Sequence, residues 1–206
     1  MSLPALDPAR TAVVTIDLHR GHLDPQVATM PLPAEAAKAV TARSGEVITA
    51  LRGKGIPILH VLTSYTDVAE IAANPWWAAV ADTDASRANV LRHQLPGSPG
   101  LELMPEVYDA DRDAVIDGKR RYDSFWATGL ELALRSRGIA TLLLMGVNTN
   151  SCVLATTVAA NARDFAPIVI TDCVDTMDRS VHEPALAVIR QAFGWTASGD
   201  EILAAL

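Results

Sequence analysis

Short, almost continuously apolar runs recur along this chain, separated by segments of helical periodicity, and this alternation constrains the fold most. Ala12 to Ile16, Ile56 to Leu62, Ala140 to Met145 and Ile168 to Thr171 are dominated by Val, Ile and Leu. Runs of that length without polar alternation are what strands buried on both faces require. Pro33 to Arg52 carries Ala36, Val40, Val47, Ile48 and Leu51 at helical spacing and ends in Gly53-Lys54-Gly55, a glycine stop with a basic residue. Ser124 to Arg137 reads as a helix capped by Asp123 or Ser124, with a Glu131–Arg135 pair at i,i+4 and Gly138 as its stop. Helices are also expected over Ser151 to Arg163 and Glu183 to Phe193, with short strands at Ala114 to Ile116 and near Trp195 and a last helical turn after Ser198. The pattern predicts an α/β chain with a parallel sheet covered on both faces.

At 206 residues, with no internal repeat or linker, the chain suits one domain spanning residues 1–206. Thr63 to Asp113 is the least regular stretch, holding Trp76-Trp77, Pro96-Gly97-Ser98-Pro99-Gly100 and an expected short helix near Asp84 to Gln94. A net charge of −7 argues against nucleic acid or an anionic membrane as partner. No run approaches the roughly 20 apolar residues of a membrane span, and Met1 to Arg10 lacks the pattern of a secretory signal. A cytoplasmic protein with Cys152 and Cys173 as free thiols is the expectation.

Three reactive residues end three strand-like runs: Asp17, Lys119 and Cys152. Cys152 also opens a helical segment, where backbone N–H groups and the helix dipole favour a thiolate and can receive a developing oxyanion. Right-handed crossovers bring the carboxyl ends of parallel strands to one edge, where sites in open sheets lie. An acid, an amine and a thiol meeting there make an activated nucleophile, with Asp17 as base and Lys119 biasing both pKa values. Singly, each has a bland explanation: an inert buried thiol, a turn-capping Asp, a solvated Lys in Lys119-Arg120-Arg121.

The sequences around these residues resemble those of the isochorismatase-like cysteine hydrolases. The resemblance rests on Val13-Val14-Thr15-Ile16-Asp17, on Lys119-Arg120-Arg121-Tyr122-Asp123-Ser124-Phe125, and on Gly146-Val147-Asn148-Thr149-Asn150-Ser151-Cys152-Val153. It covers nearly the whole chain and implies a three-layer αβα, Rossmann-like, mostly parallel six-stranded sheet. Relatives include N-carbamoylsarcosine, biuret, ureidoacrylate and maleamate amidohydrolases, nicotinamidases, and isochorismatases, which cleave a vinyl ether and lack the cysteine. Retention of Cys152 favours C–N hydrolysis of a small amide, carbamoyl or ureido compound. The resemblance implies that Cys152 is nucleophile, Asp17 general acid and base, and Lys119 electrostatic support. It further implies that the backbone N–H groups of Asn148 and Cys152 form the oxyanion hole, with a cis peptide at Val147–Asn148, and that the chain forms a homodimer or homotetramer.

His19 stands where most relatives carry Gln, and is expected to line the pocket. Nicotinamidases bind a metal through an Asp and several His beginning at this offset. The spacing of His19, His22, His60 and His93 does not reproduce that arrangement, so no metal or cofactor is expected and the histidines are read as satisfied by hydrogen bonds. Trp77, Tyr122 and Phe125 are expected pocket walls, with Trp126 nearby. The Asn148 side chain either binds substrate or braces its turn. Arg87 and Arg92 are candidates for a substrate carboxylate, and Cys173 is a packing residue. The competing readings are a non-catalytic binding or assembly protein that kept the fold, a vinyl ether hydrolase, and a thiol redox protein using Cys152 and Cys173, for which no C-x-x-C motif is present.

Overall fold

A computed structural model describes residues 2–206. Its strands and helices in chain order are β1 (Thr11–Ile16), α1 (Arg20–Leu23), α2 (Ala34–Gly53), β2 (Ile58–Thr63), α3 (Val68–Ala72), α4 (Pro75–Val80), β3 (Ala114–Lys119), α5 (Leu130–Arg135), β4 (Thr141–Val147), α6 (Leu154–Asn161), β5 (Ala166–Asp175), α7 (His182–Ala192), β6 (Trp195–Ala197) and α8 (Gly199–Ala205). All the strands pair in parallel in one six-stranded sheet, in the order β3-β2-β1-β4-β5-β6.

The apolar runs are continuous because both faces of the sheet are covered. On one face Ala12, Val14 and Ile16 of β1 and Leu142 and Leu144 of β4 meet Leu130 and Leu134 of α5, Ala159 and Ala160 of α6, and Leu186 and Ile189 of α7. On the other, Val13, Leu143, Met145 and Ile168 meet Val40, Val47, Ile48 and Leu51 of α2 and Ile202 of α8. Side chains alternate across each strand, so a one-residue slip would exchange the two layers. A third cluster, Met30, Tyr65, Ile71, Trp77 and Val90, packs the irregular segment.

Several boundaries differ from the expected ones for identifiable reasons. Pro57 stays just outside β2, its carbonyl accepting the Val13 N–H, so its missing donor costs no ladder bond. Ser124 to Gly129 is a turn rather than the first part of a helix, and α5 begins only at Leu130. There Asp123 accepts the Phe125 N–H, Ala127 takes a positive φ of 55°, and Ser124 is tied to Thr156. Asp84 to Gln94 contains only a 3-10 turn at Val90–Arg92. Helical order lies earlier instead, in α3 capped by Asp67 and α4 capped by Asn74 with Pro75 at its first position. Cys152 falls in a π-helical turn, Thr149–Val153, that precedes α6. The last helical turn extends to α8, begun by a Ser198–Glu201 capping box.

The chain winds outward from β1 to β3 and then returns to place β4 on the other side of β1. That reversal opens a crevice at the carboxyl ends of the strands. Gly146 pairs with Ile16 there at a φ of 121°, and a Cβ on it would lie 2.0 Å from the Ile16 carbonyl oxygen. Glycine is required for β4 to pass so close to β1.

Candidate active site

Asp17, Thr63 and Lys119 are delivered by three adjacent strand ends. Asp17 follows β1 with a left-handed φ of 56°, a conformation Asp tolerates better than most residues. Its Oδ1 accepts the Thr63 N–H and hydroxyl, both at 2.8 Å, and its Oδ2 accepts Lys119 Nζ at 2.5 Å. Lys119, 1% exposed, also donates to Thr63 Oγ1 at 2.7 Å and lies 3.3 Å from Cys152 Sγ. The acid, the amine and the thiol are thus brought together, with Thr63 joining acid to amine. Thr63 is not among the residues the sequence singles out, since a threonine at a strand end is chemically ordinary on its own.

Burial and charge set the protonation states. Burial, the largest single influence, pushes the Asp17 carboxyl up, but the Lys119 ammonium together with His19 and His22 holds it well below the usual carboxylate range. Burial alone would lower Lys119; the Asp17 carboxylate, and the Cys152 thiolate when it forms, raise it above its ordinary value. Burial pushes the Cys152 thiol up, Lys119 opposes this, and Asp17 adds to it. The resting site is therefore carboxylate, ammonium and thiol, with the ammonium placed to stabilise a thiolate as it forms.

Asp17, Lys119 and Cys152 face a pocket whose walls include Thr63, Tyr65, Trp77, Arg87 and Tyr122. Trp77 Nε1 donates to the Tyr122 hydroxyl at 2.8 Å. Arg87 donates to Ser151 Oγ at 2.8 Å, with its guanidinium 5.0 Å from the Tyr122 ring centroid. Arg92 lies elsewhere, paired with Asp82 at the surface.

Phe125, Asn148 and His19 lie outside this lining. Phe125 is buried in the core beside Phe165, the ring centroids 5.7 Å apart, because the turn at Ser124 to Gly129 points it inward. Asn148 braces its turn, Oδ1 accepting the Met177 N–H at 3.0 Å. The peptide bond preceding it, Val147–Asn148, is cis. His19 sits behind Asp17, its Nε2 3.6 Å from Oδ1 and beyond hydrogen-bonding reach. Its neighbours His22 and His93 line the pocket instead.

The reading of the histidines as satisfied by hydrogen bonds holds for His60, which pairs with Thr15 at 2.7 Å and Asp113 at 3.1 Å. It fails for His19, neither of whose buried ring nitrogens has a partner among the described residues, and likewise for His93 Nε2. Cys152 and Cys173 are free thiols that pack on opposite faces of the sheet, so they form no redox pair. Burial pushes Cys173 up to about 12, in keeping with a packing role.

The isochorismatase domain model matches residues 11–201, from the first residue of β1 into the last helix. The chain belongs to the isochorismatase family. It is 30% identical to the ureidoacrylate amidohydrolase RutB of Methylobacterium radiotolerans over 202 residues, covering 94% of this chain and 78% of that one. It is 25% identical to the maleamate amidohydrolase of Pseudomonas putida, over 90% of this chain and 81% of that protein. A cysteine hydrolase from Pseudomonas syringae pv. phaseolicola has the same fold, with a TM-score of 0.85 at 19% identity over 100% of this chain and 98% of its own. N-carbamoylsarcosine amidase from Thermoplasma acidophilum superposes with a TM-score of 0.71 at 23% identity, over 93% of this chain and 97% of its own.

Proposed function

We propose that this isochorismatase-family protein is a cysteine amidohydrolase that cleaves the C–N bond of a small amide, carbamoyl or ureido compound through a thioester on Cys152. The observation that carries the reading is Lys119 Nζ, 2.5 Å from Asp17 Oδ2 and 3.3 Å from Cys152 Sγ in one pocket. Relatives named as ureidoacrylate and maleamate amidohydrolases support the substrate class.

The chemistry begins with transfer of the Cys152 proton to the Asp17 carboxylate. The thiol sits above and the carboxyl below their ordinary values, so this step is uphill at rest and depends on Lys119 to stabilise the thiolate. The thiolate attacks the substrate carbonyl carbon, and the backbone N–H groups of Asn148 and Cys152 hold the tetrahedral oxyanion. Collapse breaks the C–N bond, and protonated Asp17 gives its proton to the departing ammonia or amine. Water, deprotonated by Asp17, then hydrolyses the thioester and the proton returns to sulfur.

Arg87 is the pocket's candidate for a substrate carboxylate, while Trp77 and Tyr122 form its aromatic wall. The working form is a cytoplasmic homodimer or homotetramer.

An ammonia-release screen across small amides and ureas tests the activity. With a substrate in hand, Cys152→Ala and Asp17→Asn should each lower kcat/KM about 10³-fold or more. Acid-quenched wild-type enzyme should carry an acyl adduct on Cys152 by mass spectrometry. Undiminished hydrolysis in either variant would refute the mechanism.

A further inference from the structure

We propose that His19, His22 and His93 form a binding site for a single divalent transition-metal ion, zinc by ligand type, beside the Cys152 pocket. One ring nitrogen from each lies within 4.8 Å of the others, and all three side chains are buried. His19 and His22 come from the start of α1, and His93 from the residue after the Val90–Arg92 turn.

The hydrogen bonds behind the rings fix which nitrogens face inward. His22 Nδ1 is 2.7 Å from the Met30 carbonyl, which can only accept, so Nδ1 carries the proton and Nε2 is a bare lone pair. His93 Nδ1 pairs with Thr29 Oγ1 at 2.8 Å, leaving Nε2 without a partner among the described residues. A ring anchored through one nitrogen with the other left bare is the arrangement of a metal-ligating histidine. Among the described residues His19 has no partner on either nitrogen, so it too has a lone pair to give. Buried polar atoms left unpaired cost free energy, and a cation shared among three imidazoles would offset that cost.

Tight packing holds the cluster together. A Cβ on Gly21, between His19 and His22, would lie 2.4 Å from Gln94 Oε1, and one on Gly100 would lie 2.6 Å from the same atom. These two glycines let α1 close against the residue that follows His93.

Three neutral imidazoles suit zinc, which takes a fourth ligand tetrahedrally. His22 and His93 share the pocket with Cys152, so the fourth position opens toward it. There the ion would take an oxygen or nitrogen of a small polar ligand, across the pocket from the thiol. The Asp17 carboxylate, 3.6 Å from His19 Nε2, supplies negative charge beside the site.

Metal binding by the full chain tests this, with a readout independent of amide hydrolysis. Chelator-treated protein should take up one Co²⁺ or Zn²⁺ per chain. The Co²⁺ form should show visible d–d bands without the near-ultraviolet charge transfer of a thiolate ligand. His93→Gln should abolish uptake, Thr29→Val should weaken it about 10- to 100-fold, and Cys152→Ser should leave it unchanged. Circular dichroism establishes that each variant is folded. No stoichiometric uptake by folded wild-type protein, as expected if ordered water alone fills the cluster, would overturn the site. So would unchanged uptake in folded His93→Gln, or loss of uptake in Cys152→Ser. Failure of amide hydrolysis with metal binding intact would overturn only the amidohydrolase reading.

Discussion

Lys119 is a fully buried ammonium whose position depends on one carboxylate, Asp17. Removing one partner of a buried pair leaves an uncompensated charge, so Lys119→Met should destabilise the fold by about 3–5 kcal/mol. Asp17→Asn combined with Lys119→Met should cost clearly less than the two singles together, a non-additivity that urea denaturation would measure. Strict additivity would mean that the pair is not energetically coupled. Arg87 lies on the pocket wall, tied to Ser151 and the Tyr122 ring. If it receives a substrate carboxylate, Arg87→Met should raise KM about 10- to 100-fold for carboxylate-bearing substrates and leave uncharged ones nearly unaffected. Equal loss for both classes would assign Arg87 to structure. Asp17, Lys119 and Cys152 were legible as residues because each couples a reactive group to the end of an apolar run. Thr63 was not, because a threonine carries no such distinction until its hydroxyl is seen between Asp17 and Lys119.

At the scale of elements, periodicity located the strands and the longer helices but misplaced the approach to α5. Ser124 to Gly129 has a helix-compatible sequence, yet Ser124 bonds Thr156 and Phe125 fills the core beside Phe165, so tertiary contacts override local preference. Phe125→Ala should therefore act through stability, costing about 3–5 kcal/mol in denaturant unfolding. A change in KM with unaltered stability would restore Phe125 to the pocket wall. The β1–β4 contact offers a sharper test, since a Cβ at Gly146 meets the Ile16 carbonyl at 2.0 Å. Gly146→Ala should cost about 3 kcal/mol, at the upper end for overpacking. It should also lower kcat, because the same strand leads directly into the turn that carries Cys152. A neutral substitution would show that β4 has room to move.

Global stability sums over the whole molecule, and His60 contributes a pH dependence to it. Burial lowers the His60 pKa, although Asp113 works in the opposite direction. The folded state therefore keeps His60 neutral while the unfolded chain binds a proton near pH 6.5. Below that pH the unfolded state holds more protons, so stability falls as the solution is acidified until His60 protonates in the fold. Thermal unfolding between pH 7 and pH 5 should show this decline, and His60→Gln should make it shallower, leaving the share that His22 and His93 contribute through their own lowered pKa values. An identical slope in the variant would place the dependence elsewhere. By itself, the sequence determined the parallel α/β architecture and the identities of the acid, the amine and the thiol. Apolar periodicity, glycine stops and strand ends are local signals, readable within a few residues. Only the tertiary structure decided that Thr63 joins Asp17 to Lys119, that Phe125 turns inward, and that His19, His22 and His93 converge. Those arrangements depend on contacts between distant parts of the chain, such as Asp17 with Thr63, 46 positions away, and with Lys119, 102 away. No local pattern encodes which of many polar side chains will meet when the sheet closes.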